Sequence, residues 1–278
     1  MPIWQAVLLG VIQGITEFLP ISSTAHLLVA RSLLGHEKPE DAFTVVIQLG
    51  TLAAVFVYFH ADVARMLKGL VTDIRARRLA STADSRLGWL IVLGTVPAVV
   101  VGFTLKKQLK ATFFNPQSIA VVTIVFALLM LAAELWAHRR AKRGAPREEA
   151  DITWLDALWV GVWQACALMP GGSRSGTTIT GGLFAGLARS VAARFSFLLS
   201  LPVMLGAGIK ELADDYKNFR DEEVTAMLVG TLVSFVVGYI AIAFLLNFLK
   251  RYSMGVFVAY RLLLAATIFG LIARGFLK

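Results

Sequence analysis

Glu17 stands inside an apolar run, residues 3–19, that ends at Pro20-Ile21-Ser22-Ser23-Thr24. A carboxylate among apolar residues is costly to bury and marks function by default. Gln13 lies four residues earlier, on the same helical face. Ser22, Ser23 and Thr24 are suited to opening a helix. His26 follows Ser23 by three residues, so both could share a face. Its imidazole can take a proton from a hydroxyl or return one near neutral pH. A second run, 154–169, ends at Pro170-Gly171-Gly172-Ser173-Arg174-Ser175-Gly176. Ser173 and Ser175 would open the helix that follows, and Arg174 brings a forked donor that matches phosphate. A helix N-terminus after each break adds unpaired N–H groups and a positive dipole end. Convergence of the two ends implies an anionic ligand, most simply phosphate. Beside it, Glu17 would serve as a ligand for Mg²⁺ or Ca²⁺, or as a base. A plain Glu17–Arg174 ion pair holding the two breaks together is the structural alternative.

Other residues carry weaker signals. Gln48 sits mid-span and would line a cavity. Arg261, within the last apolar segment, would face the site or pair with a carbonyl. Glu134 reads as a paired or snorkelling carboxylate, and Trp154, Trp159 and Trp163 as interface anchors. Gly171-x-x-x-x-Gly176-Thr177-Thr178 is not a phosphate-binding P-loop, because Thr177 replaces the required Lys and no strand precedes it. Cys166 is the single cysteine, which excludes an internal disulfide and a multi-cysteine metal site.

The elements that must position these residues follow from composition. The 278 residues are 57% hydrophobic and 16% charged, with mean hydropathy +0.72. Soluble domains carry about 25% charged residues, so a soluble enzyme is excluded and an integral membrane protein is expected. The net charge of +9 lies in loops between apolar runs, which is the positive-inside pattern and not a nucleic-acid stripe. The N-terminus lacks a basic leader segment, so no cleaved signal peptide is expected. Spanning helices need about 20 apolar residues. Segments 41–60, 87–106, 116–137, 190–209, 224–249 and 254–273 qualify.

The two interrupted segments, 3–34 and 154–187, read as re-entrant hairpins, since non-helical backbone at membrane depth survives only when buried or lining a wet cavity. Loops 61–86 (six Lys/Arg, three acids) and 138–153 (five and three) are assigned to the inside, and 209–223 (three and six) to the outside. Lys106, Lys107 and Lys110 would then lie outside, against the rule. The reading is therefore all-α membrane: six transmembrane helices plus two re-entrant helix-loop-helix hairpins in an inverted-topology repeat. It gives one membrane domain, with repeats 1–137 and 154–278 joined by a basic cytoplasmic loop, 138–153. Paired broken segments in inverted halves place a site near the midplane. The same features would serve a secondary transporter or scramblase of anionic lipids or solutes.

The chain resembles the undecaprenyl-diphosphate phosphatases of the bacitracin-resistance type over nearly its whole length. The motifs are Gln13-Gly14-Ile15-Thr16-Glu17-Phe18-Leu19-Pro20-Ile21-Ser22-Ser23-Thr24-Ala25-His26 and Pro170-Gly171-Gly172-Ser173-Arg174-Ser175-Gly176-Thr177-Thr178. Phe43 to Gly50 and Ala259-Tyr260-Arg261 are also similar. The resemblance implies hydrolysis of undecaprenyl diphosphate to the monophosphate in the bacterial inner membrane. That reaction recycles the lipid carrier of cell-wall synthesis and confers bacitracin resistance. It further implies a divalent cation, Mg²⁺ or Ca²⁺, an active site open to the periplasmic or outer face, and a homodimer among membrane lipids. By position, Glu17, His26 and Arg174 carry over as essential, with Ser22, Ser23, Ser173, Ser175 and Thr178 as phosphate-site hydroxyls. Together with the reading of the residues themselves, Glu17, His26, Arg174 and Ser23, or water in its place as nucleophile, would carry catalysis. Ser22, Ser173, Arg174, Ser175, Gly176 and Thr178 would bind phosphate, Glu17 and Gln13 would hold the metal, and Gln48 and Arg261 would support the site. Many family members carry Glu at the position of Gln13, and a neutral amide cannot act as a base.

Overall fold

A computed structural model describes residues 1–36, 42–215 and 223–277. The first residue of the expected span 41–60, part of the acidic loop 209–223, and Lys278 fall outside them. The described residues form eleven α-helices: α1 (Ile3–Phe18), α2 (Ser23–Leu33), α3 (Ala42–Tyr58), α4 (His60–Arg75), α5 (Ala83–Phe113), α6 (Pro116–Ala141), α7 (Trp154–Cys166), α8 (Arg174–Phe184), α9 (Arg189–Asp215), α10 (Val224–Leu249) and α11 (Gly255–Ala273). Helices α5, α6, α9, α10 and α11 are each long and apolar enough to cross a membrane. A sixth span is reached if α3 and α4, bent by 73° at their junction, count as one. The chain is thus an all-α, multi-pass membrane protein.

The two interrupted segments form short helix pairs, α1–α2 and α7–α8, each pair in contact. At 1.5 Å per residue the 16 residues of α1 extend about 24 Å, too short to cross alone. Each leading helix packs on a long helix distant in sequence: α1 lies against α10, and α7 against α5. Small residues allow that approach. A Cβ at Gly10 of α1 would lie 2.6 Å from the Gly230 carbonyl of α10. A Cβ at Gly94 of α5 would lie 2.8 Å from the Ala157 carbonyl of α7.

The stretch 61–86, expected to be a loop, contains α4 and the first turn of α5. Its charges alternate with Met66, Leu67, Leu70, Val71 and Ile74, an amphipathic helical pattern. Pro97 and Pro202 leave α5 and α9 continuous. Charged pairs then fasten the ends of the bundle. Glu134 of α6 accepts the Arg189 guanidinium of α9 at 2.6 Å and the Met254 N–H before α11 at 2.9 Å. Arg194 reaches Asp62 at 3.0 Å and Glu149 at 2.6 Å. Arg147, in the connection after α6, bonds Asp156 and the Ala185 carbonyl, and the Asp156 carboxylate raises its guanidinium further above the usual range.

Candidate active site

The two breaks share one backbone device. Ser22, before α2, has φ 74° and ψ 100°, and Ser173, before α8, has φ 65° and ψ 107°. Positive φ is uncommon outside glycine, costs about 1–3 kcal/mol and gathers at functional sites. Each serine caps its helix: Ser22 Oγ accepts from Ala25 N at 3.4 Å, and Ser173 Oγ from Gly176 N at 3.3 Å. Thr24 and Ser175, expected to share the capping, lie inside the first turns instead.

The breaks meet. Ser175 Oγ donates to the Leu19 carbonyl at 3.2 Å. Arg174 Nη2 donates to Glu17 Oε1 at 3.0 Å. The other carboxylate oxygen of Glu17 accepts from Ser23 Oγ at 3.0 Å and from Gln13 Nε2 at 3.1 Å. Arg174 Nη1 is buried with no protein partner. Behind the breaks lies Arg261, 1% exposed. It donates to the carbonyls of Gly171 at 2.9 Å, Gly172 at 3.2 Å, Thr123 at 3.2 Å and Pro20 at 3.5 Å.

A cavity of about 260 Å³ opens beside this cluster. Gln13, Glu17, Ser22, Ser23, Gln48, Ser173 and Arg174 all line it. Five other predicted site residues do not: Arg261, which lies behind the breaks, Ser175, Gly176, Thr178 and His26. The Ser175 hydroxyl is spent on Leu19, and the Gly176 N–H on the Ser173 cap. Thr178 Oγ1 donates to the Arg174 carbonyl at 2.7 Å and pairs with Ser196 Oγ at 2.5 Å. These three therefore brace α8 and do not present phosphate donors to the cavity in this geometry. His26, expected on the face of Ser23, turns away to an apolar groove bounded by Leu8, Ile12 and Leu264. Its Nδ1 meets the Ser22 carbonyl at 2.7 Å and its Nε2 the Tyr260 hydroxyl at 2.7 Å. Ser23 is the first residue of α2, where the side chain can reach back to α1, whereas His26 is fixed by the next turn.

Three charged lining residues were missed as site residues: Lys106, Lys110 and Glu211. Their signal was the charge anomaly, lysines on the wrong side of the positive-inside rule. Among the described residues no group of three or more His, Cys, Asp or Glu could hold a metal ion by itself. One carboxylate, one amide and several hydroxyls are hard oxygen donors. They fit Mg²⁺ or Ca²⁺ if phosphate oxygens complete the shell.

The arrangement joins a hydroxyl, a carboxylate that can take its proton, and a guanidinium with a spare buried donor. This is a multi-pass membrane protein with the parts of a phosphoryl-handling site where two helix breaks meet. Comparison with known sequences makes the assignment specific. The family model described as bacitracin resistance protein BacA matches residues 6–267, and the chain belongs to that family. It is similar to the undecaprenyl-diphosphatase of Chlorobium phaeobacteroides (strain BS1), 44% identical over 281 residues covering 100% of each chain. A relative of the same name from Chloroherpeton thalassium is 44% identical, covering 100% of this chain and 99% of its own. Another, from Chlorobaculum tepidum, is 42% identical with the same coverage.

Proposed function

We propose that this protein hydrolyses undecaprenyl diphosphate to undecaprenyl phosphate and inorganic phosphate. The reaction returns the lipid carrier to peptidoglycan synthesis and confers bacitracin resistance. The observation that carries the mechanism is Glu17 bonded at 3.0 Å to both Ser23 and Arg174. Full-length similarity to undecaprenyl-diphosphatases supports the substrate. A transporter or scramblase has no need of a hydroxyl bonded to a carboxylate, and these relatives do not favour it.

The prenyl tail stays in lipid, and the diphosphate enters the cavity between the breaks. Arg174 offers Nη1 to the distal phosphoryl oxygens, where charge spreads in the transition state. Glu17 takes the Ser23 proton as Ser23 Oγ bonds to the distal phosphorus. The anhydride P–O bond breaks, and undecaprenyl phosphate leaves with the bond electrons and takes the proton from Glu17, which returns to its carboxylate form. Water activated by Glu17 then hydrolyses the phosphoserine, releasing phosphate and restoring the hydroxyl. His26 acts through the Ser22 carbonyl, which it holds from behind, as a positioning residue. Glu17 and Gln13, with the diphosphate oxygens, would hold Mg²⁺ or Ca²⁺. When bound, the ion neutralises charge on the diphosphate.

The architectural reading is an inverted repeat, with halves 1–137 and 154–278 joined by the loop 138–153, six spans and two re-entrant hairpins. Matching serine conformations and the exchanged packing of α1 and α7 support it. The protein would lie in the bacterial inner membrane as a homodimer, its cavity facing the periplasm. The test is phosphate release from undecaprenyl diphosphate by detergent-purified protein, with and without EDTA, beside Glu17→Ala. Cation-dependent release that is lost in the variant is expected. No release from folded protein across several cations would sink the reading.

A further inference from the structure

Lys106 and Lys110 lie one turn apart on the same face of α5, and Phe114 follows at the end of the helix. All three line the same cavity as Glu17 and Arg174. Lys106 Nζ bonds Glu211 of α9 at 2.7 Å, and Glu211 lines the cavity too. Lys110 sits 5.1 Å from the Phe114 ring centre. Among the described residues the cavity wall carries three cations, Lys106, Lys110 and Arg174, and two anions, Glu17 and Glu211. One ion pair lies deep, at the breaks. The other is partly solvated, with Lys106 41% and Glu211 30% exposed.

We infer that Lys106 and Lys110 form a second anion subsite at the rim, which takes a phosphate dianion as it leaves the cavity. The inference rests on the phosphatase reading for the identity of that anion. In it, Glu211 is a competitor: it occupies Lys106 when no phosphate is present and yields it when phosphate arrives. An ammonium on a flexible stem suits such an exchange, because it is a point charge without fixed fork geometry. A partly solvated pair is also cheap to break. Two lysines on the outward part of α5 therefore answer the cavity and not the membrane-orientation rule.

The competitor role gives opposite signs to two substitutions on one ion pair. The probe is inorganic phosphate, its affinity measured by calorimetry on detergent-purified protein without turnover. Lys106→Gln should weaken phosphate binding about tenfold, the loss of a hydrogen bond to a charged group. Lys110→Gln should weaken it in the same direction. Glu211→Gln should tighten it about threefold, since an exposed competing pair is lost. A purely structural bridge would instead give Lys106→Gln and Glu211→Gln the same sign, with matching losses of thermal stability, and that result overturns the inference. Unchanged phosphate affinity in all three variants overturns it as well. So does a shift in the KM for the lipid diphosphate alone, which would assign the lysines to the substrate. Opposite signs in protein that shows no phosphatase activity would uphold the anion subsite while removing the enzyme reading.

Discussion

Glu17 and Arg174 hold each other at 3.0 Å although 157 positions separate them in the chain. The pair ties the end of α1 to the start of α8, so the structural alternative drawn from the sequence is present in the molecule. It does not compete with a chemical role. The same carboxylate keeps its second oxygen on Ser23, and the same guanidinium keeps one buried nitrogen without a partner. Glu17→Gln should keep the hydroxyl contact but remove the base and the ion pair. Turnover of undecaprenyl diphosphate should fall by about 10²–10⁴-fold, the usual worth of a general base. Normal elution on size exclusion would show that the protein is folded, and a residual rate near wild type would refute the assignment.

Arg174→Lys preserves the charge and removes the fork. One ammonium cannot hold Glu17 and a phosphoryl oxygen in the same geometry. We expect kcat to drop by about 10²-fold, as when one transition-state donor is removed. Steady-state kinetics with the lipid substrate would check this, and a kcat within threefold of wild type would count against it.

His26→Ala separates positioning from proton transfer. Because His26 turns to Ser22 and Tyr260 and not into the cavity, the variant should be slower but keep the shape of the wild-type pH–rate profile. Tyr260→Phe, which removes only the outer contact of the ring, should cost less than His26→Ala. Loss of one limb of the profile in His26→Ala would instead make the imidazole the proton carrier.

Gly161→Ala would press a Cβ into the Gly94 carbonyl where α7 crosses α5. Overpacking of this kind costs about 1–3 kcal/mol. Thermal unfolding in detergent should show it, while Gly144→Ala, with nothing within 4 Å of its added Cβ, should leave the midpoint unchanged.

Much of this molecule was legible in its sequence, and the reasons differ by residue. The breaks at Pro20 and Pro170 could be read because polar, helix-breaking residues have no other business inside apolar runs. The cavity positions of Glu17, Ser23 and Arg174 followed from them, and that of Gln48 from a polar side chain in the middle of an apolar span. Helix α4 was hidden because its charges outvoted the stripe of Leu67, Val71 and Ile74. The fate of His26 was not legible, since spacing gives a helix face and not which neighbour that face meets. Ser175, Gly176 and Thr178 lie within a phosphate-like motif, yet their hydrogen-bonding groups are consumed by chain that is distant in sequence or by the turn itself. Lys106 and Lys110 were noticed only as exceptions to a topology rule, because α5 outruns its apolar segment by seven residues at its C-terminal end, to Phe113.

Arg261 sets a limit on how the cavity can change shape. One guanidinium grips carbonyls from both breaks and from α6. Drawing the breaks apart would strand several acceptors and a buried cation at once, a steep cost in membrane. The floor of the cavity therefore behaves as a rivet, and breathing is left to the opposite wall. There α5 and α9 are joined across the rim by the solvated Lys106–Glu211 contact. Access for a bulky headgroup is thus a hinge problem of those two long helices, not of the short ones that hold the reacting groups.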